Sequence, residues 1–138
     1  MAMIKKIVCC LFFFLISCSS FAYISTNQDP NFNTRINPNF NTGMNPNFNT
    51  SINPQFSGNL SGKYLFNLNC NLISTIIFVD SSVMISYSNS WNGYWVNDGE
   101  GGFVIFDING NWIGHAHSNS QNGYNVFDLA NNWRAFTN

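Results

Sequence analysis

The sequence predicts an all-β fold, a small pseudo-fourfold repeat of β-hairpins, preceded by an extended low-complexity Asn/Pro repeat. Three observations predict it. The C-terminal part of the chain echoes itself at offsets of 40 and 21 residues. Apolar residues there alternate with period two around Asn/Gly turn signals. All four prolines lie upstream, at positions 30, 38, 46 and 54, and none follows.

The first element is a targeting segment, residues 1–22, reading MAMIKKIVCCLFFFLISCSSFA. Lys5 and Lys6 form a positive start, and residues 7–16 are an apolar run of ten. That is the length of a signal-peptide core and too short for a bilayer-spanning helix. Two cleavage readings stand side by side. Ser20-Phe21-Ala22 is a small-x-small site that leaves a soluble chain starting at Tyr23. Leu15-Ile16-Ser17-Cys18 resembles the lipobox of bacterial lipoproteins, with Cys18 acylated as the new N-terminus and Ser19 beside it. That resemblance implies an outer-membrane lipoprotein of the cell envelope; the other reading implies a secreted protein. Without Lys5 and Lys6 the chain keeps three basic and six acidic residues, about −3 with neutral His. No basic patch remains, which excludes nucleic acid as a partner. Cys9 and Cys10 leave with the signal and Cys18 is lipidated or removed, so Cys70 is expected to stand without an intrachain partner.

The second element, residues 23–62, is an octad array. Each unit reads N-P-N-F-N-T-x-x, with Phe32, Phe40, Phe48 and Phe56 following the prolines at the same period of eight. Asn-Pro starts turns, because proline presets φ at the second turn position. Proline at this spacing excludes a helix and a central strand. One Phe and at most one Ile or Met per octad is too little apolar surface to close a core. The array is therefore expected to be a surface spacer, reaching roughly 90 Å if fully extended. A repeated adhesive strip anchored by the Phe side chains is the alternative. A small β-solenoid is disfavoured, because four octads are few to stack.

The third element, residues 63–138, carries the repeat. Phe66-Asn67-Leu68-Asn69-Cys70-Asn71-Leu72 aligns with Phe106-Asp107-Ile108-Asn109-Gly110-Asn111-Trp112 and with Phe127-Asp128-Leu129-Ala130-Asn131-Asn132-Trp133. A degraded copy, Tyr87-Ser88-Asn89-Ser90-Trp91-Asn92-Gly93, lies between the first two. Asn109-Gly110 predicts a two-residue type I′ turn, with Asn69-Cys70 and Ala130-Asn131 in the same slot. Phe66, Phe106 and Phe127 are expected to converge as a shared core, supported by Leu68, Ile108 and Leu129. An open sheet with few charges invites homo-oligomers through its edge strands.

These units resemble the small bacterial domains called 4-fold β-flowers, with their recurring Φ-x-F-D-x-x-G-x-x-Φ-G hairpin. The resemblance covers residues 63–138, and unit two departs from the pattern. Exported bacterial proteins that place an I-N-P-x-F/Y-N array before such a domain are similar to this chain across nearly its full length. The resemblance implies a fold and an exported habitat, and no reaction.

Candidate binding residues are few. Trp112 and Trp133 share one repeat position, and Trp91 sits in the degraded unit. Such aromatics either pack a small sheet or stack on a glycan or protein partner. His115 and His117 lie two apart on a predicted strand, so they share a face. An H-x-H pair on a strand can chelate zinc or copper, but a third ligand is missing nearby, so the other reading is exposed strand histidines. Asp107 and Asp128 recur at one position, where Asn67 is the third copy. Because an amide replaces a carboxylate there, the shared role is accepting amide hydrogen bonds from a turn. No nucleophile–His–carboxylate set is legible, so no catalytic residue, metal site or cofactor is assigned. The functional expectation is an exported, lipid-anchored, non-enzymatic interaction module whose partner is an unknown protein or glycan. A small secreted hydrolase or metal-binding protein using His115 and His117 is the alternative.

Overall fold

The computed structural model describes residues 25–56 and 61–138. The expected signal segment, both expected cleavage sites and Cys18 lie outside the described residues. Eight antiparallel strands run in sequence order: β1 (Ser61–Asn67), β2 (Leu72–Phe78), β3 (Val83–Ser88), β4 (Ser90–Asn97), β5 (Gly102–Asp107), β6 (Trp112–Ser118), β7 (Tyr124–Asp128) and β8 (Trp133–Thr137). Each pairs with the next, and β8 returns to β1 through Leu65–Thr137, Phe66–Phe136 and Asn67–Ala135, closing a barrel. The expected all-β repeat of hairpins is therefore what the chain forms. The open sheet is corrected: β8 pairs with β1, so the eight described strands close into a barrel without a free strand edge.

The hairpin turns follow one chemistry. In the β5–β6 loop the Gly110 amide donates to the Asp107 carbonyl at 3.0 Å, and the Asp107 amide donates to Asn111 at 2.9 Å. Gly110 sits at φ 83°, which makes a three-residue loop ending in a left-handed residue. Cys70 (φ 60°) and Asn131 (φ 62°) hold that slot in the first and fourth hairpins. The expected two-residue turn is thus one residue longer. The reason is the residue ahead of it: Asp107 Oδ1 accepts the amides of Asn109 and Asn111, both at 2.9 Å, and wraps the loop around itself. Asn67 and Asp128 do the same. Unit two closes more tightly, with Ser88 opposite Ser90 and Asn89 at φ 59°.

Strand alternation sorts the apolar side chains into two sets. Leu65, Ile76, Met84, Trp95, Phe103, Ile105, Ala116 and Ala135 pack together, joined by Tyr124 and Val126. These come from all eight strands, so this face is the lumen. The other set is Ile77, Val83, Ile85, Tyr94, Val96, Val104 and Phe106, all from the outer face of β2–β5. The expected convergence of Phe66, Phe106 and Phe127 is corrected. All three face outward: Phe106 stacks on Tyr94, Phe127 on His115, and Phe66 on Phe136. Leu68, Ile108 and Leu129 lie exposed in the loops. The β-bulge in each hairpin places its extra residue in the second strand, at Ile73, Asn92, Ile113 and Arg134, while the first strands keep plain alternation with Leu65, Ser86, Ile105 and Val126 inward.

The octads cover the outer face of β2–β5. Ile36 and Ile52 are 5% and 1% exposed and belong to its apolar cluster, with Met44 packed beside them. Each octad is two turns. The Phe40 amide closes the first on Asn37 at 3.0 Å, and the Met44 amide closes the second on Asn41 at 3.1 Å, through the short 3-10 segment Thr42–Met44. Successive coils are tied by asparagine: Asn37 Nδ2 donates to the Pro30 carbonyl at 3.0 Å and Asn53 Nδ2 to Pro46 at 2.9 Å. The array is moored to the barrel at both ends of the strands. Asn39 and Asn47 donate to the carbonyls of Gly110 and Ile108, and Gln28 donates to Asp98. Residues 25–56 are thus a short stacked-turn solenoid packed on the barrel, not an extended spacer. The stacking that four octads cannot sustain alone is supplied by the sheet beneath them.

Cys70 lies in the first hairpin turn. It is buried, and in the uncleaved chain it is disulfide-bonded to a partner outside the described residues; the expectation of an unpartnered Cys70 concerns the chain after the N-terminal segment is removed.

Candidate functional site: the open mouth of the barrel

The two ends of the lumen differ. At the end where hairpins join one another, Phe103 meets Tyr124 edge-on at 5.2 Å and Trp95 at 6.2 Å, plugging the interior. Lys63 Nζ ties that end by donating to the carbonyls of Asn122 (2.6 Å) and Asn138 (3.0 Å). At the hairpin-turn end the lumen opens into a cup of about 410 Å³. Every strand contributes to its lining.

The cup is built from repeat slots. Its wall carries Leu65, Ser86, Ile105 and Val126, one from the first strand of each hairpin. Its rim carries Ile73, Asn92, Ile113 and Arg134, one from the second strand of each hairpin. Three of the rim residues are aimed by the tryptophans. Trp91, Trp112 and Trp133 each donate from Nε1 to the carbonyl two residues on, at 2.9, 2.9 and 2.8 Å. The bond spans the bulge, so the intervening Asn92, Ile113 or Arg134 is turned toward the mouth. Leu72 occupies the tryptophan slot of the first hairpin and has no such donor.

The wall is mostly apolar, with one polar strip. Ser74 Oγ and Ser86 Oγ are 2.9 Å apart, and Ser74 also donates to the Tyr87 carbonyl at 3.0 Å. Arg134 is the one charged side chain lining the cup. Its Nε donates to Asp128 Oδ2 at 2.7 Å, with the arginine side chain 64% exposed. Asp128 is held down to about 2 by the backbone amide and side chain of Asn132 and then by Arg134. Burial pulls Asp107 up, but the Asn111 side chain and the amides of its loop outweigh that and leave it below the usual carboxylate range.

The sequence-predicted residues fall elsewhere. The three tryptophans are half-buried and spread around the barrel, with Trp91 and Trp112 packed on the outer cluster beside the octads. His115 and His117 do share a face, with ring centroids 5.0 Å apart, but it is the outer face of β6. His115 is 3% exposed, not an exposed strand histidine, and lies against Phe127. Burial, then the charge of His117, holds His115 down to about 4, while Asp128 and Asp98 pull it up. Among the described residues no three His, Cys, Asp or Glu side chains converge. The rim residues escaped the sequence reading. The available signal was variation: the slot after Trp or Leu72 reads Ile, Asn, Ile, Arg inside otherwise repetitive units.

Compared with protein-family models, curated proteins and solved structures, the chain finds no match.

Proposed function

We propose that this chain is an exported bacterial envelope protein, lipid-anchored through Cys18, whose barrel is a non-enzymatic binding module with its site in the open cup. Export and anchoring rest on the basic start, the apolar run and the Leu15-Ile16-Ser17-Cys18 motif. The β-flower resemblance of residues 63–138 points to the same habitat. One observation carries the binding role: a repeated scaffold keeps its bulge in all four hairpins while the bulged rim position varies, reading Ile73, Asn92, Ile113 and Arg134. A constant frame with varied residues around a concave apolar mouth is the usual layout of a small-ligand or side-chain site.

The hydrolase or metal-binding alternative needs His115, His117 and a carboxylate in one cleft. His115 is buried against Phe127 on the outer face, and Asp128 has its oxygens engaged by Ala130, Asn132 and Arg134. A second binding reading has a specific observation behind it. Phe32, Phe40, Phe48 and Phe56 all point outward, 70–74% exposed, as a ladder along the octads. Such a stripe suits docking of a protein or glycan.

The test is ligand-detected NMR on the mature full-length chain with octanoate, octanol and octylamine, each against wild type and Ser86→Leu. Leucine at Ser86 copies the wall residues of the other hairpins and fills the cup. Binding of any of the probes that Ser86→Leu removes supports the cup. Failure of all three to bind wild type sinks it and leaves the Phe ladder. Intact mass of the protein from native membranes tests the anchor: an unmodified N-terminus at Tyr23 overturns it.

A further inference from the structure

We propose that the cup takes an amphipathic carboxylate, its apolar chain or ring in the lumen and its carboxylate on the Arg134 guanidinium. This rests on the binding-module reading above and adds the ligand class.

The walls select an apolar body. Leu65, Ile105, Val126 and Trp95 line the interior, and the plug of Trp95, Phe103 and Tyr124 closes it behind. A volume of about 410 Å³ sits at the small end of ligand cavities, so the body is one short acyl chain or one aromatic ring. An extended glycan carries too many hydroxyls for walls of this kind.

The rim selects the head. Ile73 and Ile113 flank the mouth, and Asn92 stands in the slot across the repeat from Arg134. Asp128 takes only the Nε edge of Arg134. The two Nη groups make no hydrogen bond to a described residue. Fixing Nε orients the planar guanidinium and leaves a two-pronged donor at the mouth, the geometry that pairs with a carboxylate. Asp128 cannot swing away to compete: its oxygens also accept from the amides of Ala130 and Asn132 and from Asn132 Nδ2. A cationic head would meet the guanidinium, and a neutral head would use one prong at most. The side chain is well exposed, so the attraction weakens with salt.

The experiment is calorimetric titration of the mature full-length chain with octanoate, octanol and octylamine. The proteins are wild type, Arg134→Gln and Ser86→Leu, each checked by thermal melt. Octanoate should bind wild type best. Arg134→Gln should weaken octanoate by about tenfold or more while leaving octanol unchanged, as loss of a charged hydrogen-bonded pair requires. Ser86→Leu should abolish both. Octanoate binding no tighter than octanol, or unmoved by Arg134→Gln, overturns the carboxylate assignment. If octanol or octylamine binds and octanoate does not, the cup stands and this inference falls. If none of the three binds, both fall.

Discussion

Asn53 donates from Nδ2 to the carbonyl of Pro46 at 2.9 Å, while its Oδ1 accepts the Gln55 amide at 2.9 Å. One side chain thus closes its own turn and ties down the preceding coil. Only an amide does both, since a carboxylate lacks the donor. Asn37 and Asn45 repeat the arrangement on Pro30 and Pro38. Much of the asparagine enrichment in this segment is therefore structural. Asn53→Asp should cost about 1–3 kcal/mol, because a buried carbonyl loses its donor and gains a like partner. Hydrogen exchange should locate the loss in residues 25–56, with barrel amides protected as before.

Deleting residues 25–56 distinguishes a packed array from a spacer. The outer face of β2–β5 would lie bare, including Ile77, Ile85, Tyr94, Val96 and Phe106. An apolar patch of that kind drives association. The deleted chain should aggregate or elute as oligomers in size-exclusion chromatography. A monomer with an unchanged melting curve would mean that the octads are dispensable to the barrel.

Phe106 is 1% exposed, stacked on Tyr94 with ring centroids 5.6 Å apart, and shares its cluster with Ile36 and Ile52. Phe106→Ala should cost about 3–5 kcal/mol in urea unfolding. It should also raise protease sensitivity within residues 25–56, because the cavity opens beneath the octads rather than in the lumen. An unchanged denaturation midpoint would contradict this placement.

The four hairpins were legible because repetition and turn chemistry are local. Asp107 and Asp128 could be read as turn acceptors from the substitution by Asn67 alone. The inward face was not legible, since both faces of β5 are apolar and buried: Phe103 and Ile105 belong to the lumen, Val104 and Phe106 to the outer cluster. Alternation alone therefore left open which side Phe66, Phe106 and Phe127 take, and the extra residue of each second strand, Ile73, Asn92, Ile113 or Arg134, leaves no mark in the hydrophobic pattern. The folding of the octads was hidden for a different reason. Ile36 and Ile52 are too few to form a core, and the surface that buries them belongs to distant strands. Closure of β1 on β8 is likewise a long-range pairing that no local signal announces.

Gly110 holds φ 83°, and a Cβ there would stand 3.0 Å from Asn39 Oδ1 and 3.3 Å from Tyr94 Oη. Gly110→Ala should cost about 1–2 kcal/mol from left-handed strain, plus part of the Asn39 mooring. Gly110→Asn should retain more stability, because Asn131 occupies the same slot at φ 62°. Thermal melts that rank wild type, Asn and Ala in that order would confirm the turn assignment.

His115 supplies a pH dependence whose sign can be worked out. Neither ring nitrogen has a hydrogen-bond partner, and burial followed by the nearby His117 holds the group down to about 4. An unfolded histidine titrates near about 6.5. The folded chain therefore binds the proton less readily than the unfolded one, and stability falls as pH drops through that interval. Above the unfolded value the contribution is complete and flat. The full interval corresponds to about 3 kcal/mol. Urea midpoints should hold steady from about pH 8 to about pH 7 and then decline toward about pH 4.5. His115→Phe keeps the ring stacked on Phe127 and removes the proton site, so most of that decline should vanish. An equal decline in both proteins would assign the acid sensitivity to other groups and leave His115 as a packing residue only.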